Sequence, residues 1–190
     1  MKTVIIAGVG GQGVLTASNL LSDVLLEAGY NVKKSEVHGM SQRGGDVIAT
    51  IKYGKEVFSP LPSLRNTDFI LAFEKLEGLR NINFLKKNGV MIVNNFVWEP
   101  LPVASGTVEY PGDVEENLEK FSSELILIPA TDIAIELGNV KTTNVILIGV
   151  LASKMDIEKE TWINVVRRKV PPKSVDVNIS AFEKGFTFGE

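Results

Sequence analysis

Cysteine is absent from the 190 residues, and His38 is the only histidine. No disulfide, iron–sulfur cluster or thiol nucleophile can therefore reside on this chain. A zinc site of the usual Cys/His type is excluded with them. Charge of one sign is scarce as well. Lys and Arg number 20 against 23 Asp and Glu, for a net charge of −3. That balance gives no electrostatic case for nucleic acid or an anionic membrane as partner. Long apolar runs are missing too: the longest, Val145 to Ala152, is far short of the ~20 residues a membrane span needs. The N-terminal run after Lys2 is broken at once by glycines and reads as a first strand, not a signal peptide. A cytoplasmic location fits these absences. Several catalytic signatures are also lacking: there is no G-x-S-x-G nucleophile elbow and no Walker A sequence. The thiamine-diphosphate pattern Gly-Asp-Gly…Asn-Asn is unmatched, because Gly45-Asp46 lacks its second glycine and Asn94-Asn95 lies too far on.

What is present is a 44% hydrophobic chain long enough for one domain with a real core. It is organised around its opening. Thr3-Val4-Ile5-Ile6-Ala7 reads as a strand, Gly8 to Gly13 as a glycine turn, and Val14 to Ala28 as a helix with Val14, Ala17, Leu21, Val24 and Leu25 on one side. Gly29 stands where a helix-ending glycine belongs. Gly8, Gly10 and Gly13 match G-x-G-x-x-G between strand and helix, where that spacing has physical meaning.

Asn31 to Glu36 predicts a second strand, and Glu36 falls about 20 residues beyond the turn, where a dinucleotide-binding unit places its ribose acid. The helix such a unit needs next is missing. The polar stretch Val37 to Gly45 stands in its place, before an alternating strand through Val47, Ala49, Ile51 and Tyr53. Gly54-Lys55 predicts a hairpin turn returning through Glu56-Val57-Phe58. Buried strands follow at Phe69–Phe73, Val90–Val93 and Leu125–Ile128. The first leads into a helix through Leu76, Leu79, Ile82 and Leu85, and a short strand is expected at Thr107–Tyr110. Helices are expected at Val114–Phe121, from Thr131-Asp132, at Thr142–Met155, at Glu160–Lys169, and after a Ser174 cap. The order predicts an α/β fold: a mostly parallel sheet with helices on both faces, a Rossmann-like start and one inserted β-hairpin.

Ligands of such sheets sit beyond the carboxyl ends of the strands. That rim carries the glycine turn, Glu36 to Gly45, Glu74, Asn94, Asn95 and Thr131. Two readings of the glycines stand: a cradle for an approaching anion, or room for tight helix-on-strand packing. Two stand for the polar stretch. Arg43 offers a bidentate cation to a carboxylate or phosphate and His38 a group titrating near neutrality, or Arg43 pairs with a nearby carboxylate and His38 is a surface residue. Glu36 reads best as a solvated strand-end carboxylate. The pairs Lys86-Lys87, Arg167-Arg168 and Glu115-Glu116 read as solvated helix faces.

Gly8-Val9-Gly10-Gly11-Gln12-Gly13-Val14, together with Ser35-Glu36-Val37-His38-Gly39-Met40-Ser41-Gln42-Arg43-Gly44-Gly45, resembles the gamma-type subunit of the 2-oxoacid:ferredoxin oxidoreductases. The second stretch, with Ser59-Pro60 and Leu71-Ala72-Phe73-Glu74, is most similar to the branch acting on indolepyruvate. The resemblance covers nearly the whole chain and implies a single gamma-type domain over residues 1–190. It implies a thiamine-diphosphate enzyme that oxidatively decarboxylates an aryl 2-oxoacid to an acyl-CoA and reduces ferredoxin. Thiamine diphosphate and the [4Fe–4S] clusters then belong to a larger partner subunit, in keeping with the missing cysteines, and this chain alone holds no cofactor and is inactive alone. Gly10, Gly11, Gln12 and Gly13 with His38, Gln42, Arg43 and Gly44 are the residues expected to face the partner's active-site region or coenzyme A. Isolated, the chain is expected to self-associate through surface meant for its partner. The alternatives are a gamma subunit serving pyruvate, 2-oxoglutarate or a branched-chain 2-oxoacid, a pure scaffold, and an independent NAD(P)-binding oxidoreductase, against which the missing helix argues.

Overall fold

The computed structural model describes residues 1–38, 45–99 and 101–190. The chain builds a six-stranded sheet from β1 (Lys2–Val9), β2 (Asn31–His38), β3 (Asp46–Gly54), β4 (Thr67–Ala72), β5 (Leu85–Asn94) and β6 (Glu124–Ile128), in the order β2-β3-β1-β4-β5-β6. β1, β4, β5 and β6 pair in parallel. β3 is antiparallel to both its neighbours, β1 and β2, so it alone runs against the rest. The helices are α1 (Val14–Glu27), α2 (Lys75–Asn81), α3 (Leu101–Ala104), α4 (Val114–Phe121), α5 (Ala130–Glu136), α6 (Thr143–Ser153), α7 (Lys159–Lys169) and α8 (Val175–Gly189).

The two-residue period of the strands sorts their apolar side chains into two cores. Val4 and Ile6 of β1 and Phe69 and Leu71 of β4 face a large core shared with α1, α5, α6, α7 and α8. Ile5, Ala7, Ile70 and Ala72 face a smaller one closed by α2 and α4. Strands buried on both faces read as continuous apolar runs, which is why β1 and β4 were legible. α6, apolar all round, lies inside the larger core, with Val145 through Ala152 all buried. Each fully buried Leu or Ile there contributes about 1.5–3 kcal/mol. α6 and α8 meet backbone to backbone: a Cβ on Gly149 would collide with the Phe182 carbonyl, and one on Gly185 with the Ile146 carbonyl.

Several local expectations are corrected. The hairpin is formed by β2 and β3, joined through residues 39–45, not by a return after Gly54. Glu56 to Phe58 form no strand, and Pro60 and Pro62 follow at once, each lacking the N–H a ladder needs. Thr107 to Tyr110 form no strand either; the open edge of β5 is taken by β6. Leu85 opens β5 rather than closing α2, and Lys86 therefore lies on a strand, paired with Asp68. β6 is an edge strand, half-buried rather than covered on both faces. Ser174 occupies the position before α8, but its Oγ donates to the Pro171 carbonyl (3.0 Å) and caps nothing. Pro129, not Thr131, precedes α5. Arg168 and Lys169 bridge to Glu27 (2.5 Å) and Asp23 (2.7 Å), lashing α7 to α1. Exposed pairs of this kind contribute little each.

Candidate functional site

β1 ends at Val9 and α1 begins at Val14, and the chain between them makes the tight turn that the glycines require. Gly11 (φ 102°) and Gly13 (φ 91°) occupy the left-handed region, where an L side chain is strained. The two readings of the glycines divide by position. At Gly8 a Cβ would stand 2.8 Å from Val14 Cγ2 and 2.9 Å from both Gln12 Oε1 and Phe73 Cβ, so that glycine serves internal packing. At Gly11 a Cβ would meet nothing within 4 Å among the described residues.

Gln12 is committed inward. Its Oε1 accepts from the Val9 N–H (2.8 Å) and its Nε2 donates to the Phe73 carbonyl (3.5 Å). The same carbonyl accepts from Asn94 Nδ2 (3.2 Å), which also donates to Thr131 Oγ1 (2.8 Å), while the Thr131 N–H returns to Asn94 Oδ1 (3.3 Å). A run of amides thus crosses the carboxyl ends of β1, β4 and β5 to the start of α5. Glu74, fully buried, lies two residues beyond β4 and caps α2 by accepting from the Glu77 N–H (3.0 Å); it also accepts from the Tyr110 hydroxyl (2.6 Å). Burial pushes the Tyr110 phenol well above its ordinary range, and the bond to Glu74 adds to this, so it remains a neutral donor. Burial likewise raises the Glu77 carboxyl, with the Arg80 guanidinium 2.6 Å away opposing the shift.

The residues that bracket the polar stretch after β2 lie on this side of the sheet. His38 is the last residue of β2, in register with Val47, and Gly45 accepts from the Gly10 N–H (2.9 Å). The Gly45 end of that stretch is therefore tied to the glycine turn, and the His38 end lies one strand further out. Gln42, Arg43 and Gly44 lie outside the described residues, as does the side chain of His38. Glu36 is not a strand-end group. It sits within β2 opposite Ala49, accepts from Ser18 Oγ (3.2 Å) and pairs with Lys34 (2.7 Å). The Glu74–Tyr110 contact escaped the sequence reading, since 36 residues and a loop separate the partners. A glutamate directly ahead of an apolar helix, with a second glutamate at its third position, was the available signal.

A mostly parallel α/β sheet with a Rossmann-like glycine turn and a β2–β3 hairpin where the second crossover helix would stand defines the class of domain. The chain belongs to the pyruvate ferredoxin/flavodoxin oxidoreductase family, whose model matches residues 3–188. It is 45% identical over 187 residues to the indolepyruvate oxidoreductase subunit IorB of Pyrococcus horikoshii, covering 96% of this chain and 93% of that protein. To the common gamma subunit of the pyruvate/ketoisovalerate oxidoreductases of Thermococcus kodakarensis it is 25% identical over 182 residues, covering 94% and 92%. The gamma subunit of a keto/oxoacid ferredoxin oxidoreductase from Geobacter sulfurreducens shares the fold, with a TM-score of 0.74 at 19% identity over 100% of this chain and 98% of that one. Among the described residues, no helix is long and apolar enough to cross a membrane.

Proposed function

We propose that this chain is the small, gamma-type subunit of an oxidoreductase that decarboxylates indolepyruvate oxidatively to the corresponding acyl-CoA and passes the electrons to ferredoxin. One observation carries the reading: 45% identity, over nearly the full length of both chains, to a subunit named for indolepyruvate, against 25% to one named for pyruvate and ketoisovalerate. The chain is read as one gamma-type domain throughout.

Thiamine diphosphate and [4Fe–4S] clusters do not fit this chain. It has no cysteine, and its described residues contain no group of three or more metal-ligating side chains. We assign both cofactors to a larger partner subunit, through which ferredoxin is reached. The part left to this chain is positioning. Gly10, Gly11 and Gly13 present backbone ahead of the N-terminus of α1, which favours an anionic group. Gln12 holds that turn against β4, and the stretch carrying His38, Gln42, Arg43 and Gly44 is anchored beside it through Gly10 and Gly45. These residues face the partner's active-site region or coenzyme A.

The test is co-expression with the cysteine-bearing subunit, followed by ferredoxin or viologen reduction with coenzyme A and each 2-oxoacid in turn. The complex should turn over indolepyruvate with the highest kcat/KM, and the isolated chain should be inert. A higher kcat/KM for pyruvate, 2-oxoglutarate or a branched-chain 2-oxoacid would move the assignment to that branch. Dye reduction by the isolated chain would overturn it.

A further inference from the structure

The connection from β3 to β4 is apolar where a surface loop is ordinarily polar. Phe58, Leu61 and Leu64 are 89%, 64% and 68% exposed, and no charged residue stands between Glu56 and Arg65. Neither of the two cores includes any of the three. Apolar side chains exposed singly are ordinary, but three large ones within seven residues make a patch of the kind that another molecule covers. Their spacing has a direction as well. Residues 56–63 belong to no helix or strand, and Pro60 and Pro62 hold φ at about −65°. An extended, proline-rich chain repeats every three residues, so positions 58, 61 and 64 line up along one ridge.

The ridge is held at both ends. Val57, next to Phe58, is buried. At the far end the N–H groups of Arg65 and Asn66 donate to the carbonyls of Asn83 (3.0 Å) and Phe84 (3.0 Å). Arg65 is the one non-glycine residue at positive φ (54°) among the described residues, a conformation that persists only where the surroundings impose it. The strap is therefore fixed in place before anything docks, which lowers the ordering cost of binding.

A proline-bearing ridge with regularly spaced apolar anchors fits a hydrophobic groove. Two grooves of this chain do not match it. The one of about 990 Å³ between α1 and the starts of α6 and α8 carries Lys141, Lys173 and Asn144, and the one of about 230 Å³ beside Met1 carries Lys2, Lys55 and Asp156. A second copy thus offers charge at both places to a segment that has none. The same fold is also found inside a longer chain: it makes up 31% of one chain of the 2-oxoglutarate:ferredoxin oxidoreductase of Magnetococcus marinus, with a TM-score of 0.76 at 17% identity over 99% of this chain.

We propose that residues 58–64 form the strap with which this chain docks into an uncharged, apolar groove of the larger, cofactor-bearing subunit. The proposal rests on the reading of the chain as a gamma-type subunit. β4 begins just after the strap and runs parallel to β1. The contact therefore lies at the amino ends of the parallel strands, at the opposite end of the sheet from the glycine turn.

Phe58→Ser combined with Leu61→Ser and Leu64→Ser tests it in the complex with the cysteine-bearing subunit. The isolated variant should melt where the parent does, because all three side chains are exposed. Its affinity for the larger subunit should fall about a hundredfold or more. In the unaltered chain, amide hydrogen exchange across residues 57–64 should slow on assembly. Equal affinity of variant and parent for the larger subunit would overturn the strap and leave the functional reading standing. Failure of the unaltered chain to assemble with that subunit would instead overturn the functional reading, and the strap with it. Were the substitutions to disperse a homo-oligomer while leaving the affinity for the larger subunit unchanged, the occupant would be a second copy and the proposal wrong. Should the variant not fold, the exchange measurement decides, and unslowed exchange across the strap overturns the proposal.

Discussion

Two polar regions flank the same glycine turn and are built on opposite terms. Along the rim, Gln12, Asn94 and Thr131 spend their hydrogen-bonding groups on the Val9 N–H, on the Phe73 carbonyl and on one another. In the groove between α1 and the starts of α6 and α8, the Asn144 Oδ1 is buried without a partner among the described residues. Satisfied amides in a buried setting hold strands and turns in register. Unsatisfied ones weaken the fold. The amides of the first region should therefore carry stability that Asn144 does not.

The largest expected effect concerns the stretch that joins β2 to β3 at the rim. If Arg43 meets an anionic group across the subunit interface, Arg43→Ala should cost assembly or turnover on the order of 2–5 kcal/mol and leave the melting temperature of the isolated chain unchanged. Arg43→Lys should rescue only in part, because the guanidinium fork is lost. A lowered melting temperature with normal assembly and turnover would make Arg43 an internal ion-pair partner and sink the role given to it. Next comes Asn94, which is 1% exposed and bonded to three groups. Asn94→Leu leaves the Thr131 groups unpaired and weakens the hold on the Phe73 carbonyl, so urea denaturation should show a loss of about 3 kcal/mol.

Asn144→Leu should stay within about 1 kcal/mol of the parent, or stabilise it, since it removes an amide that already lacks a partner. A loss as large as that of Asn94→Leu would erase the contrast between the regions. The smallest effect belongs to Glu77, a group beneath the rim that breaks the pattern, for its Oε2 is buried without a partner among the described residues. Burial raises its carboxyl in the folded state. The folded protein then holds that proton more tightly than the unfolded chain does. Stability should accordingly fall as pH rises from the ordinary carboxylate range through the raised value. Glu77→Gln should flatten that slope in melting curves taken across the range; an unchanged slope would assign it to another group.

The fold was legible wherever burial imposed a period. β1 and β4 announced themselves as apolar runs, α1 by its stripe and closing Gly29, and α4 to the residue at Val114–Phe121. The hairpin was misplaced because Gly54-Lys55 has suitable turn residues, whereas the pairing that won links eight rungs of β2 and β3 across a longer connection. Local turn chemistry lost to ladder length. The cap at Ser174 failed because its hydroxyl donates to the Pro171 carbonyl, and that at Thr131 because α5 begins one residue earlier, after Pro129. Of the site, the glycine turn could be read from spacing, and the approach of Gly45 to it from the strand order. The groove could not, because Asn144, Lys141 and Lys173 carry no motif and meet α1 only through the packing of α6 and α8.

That packing has a mechanical consequence. With no layer of side chains between them, α6 and α8 cannot slide or roll past one another without backbone striking backbone at Gly149 and Gly185. They form one rigid jaw of the groove, and α1 is the other. A change in the width of the groove therefore falls to α1 and to the connection between α7 and α8, and α1 begins at the turn whose Gly10 is tied to Gly45.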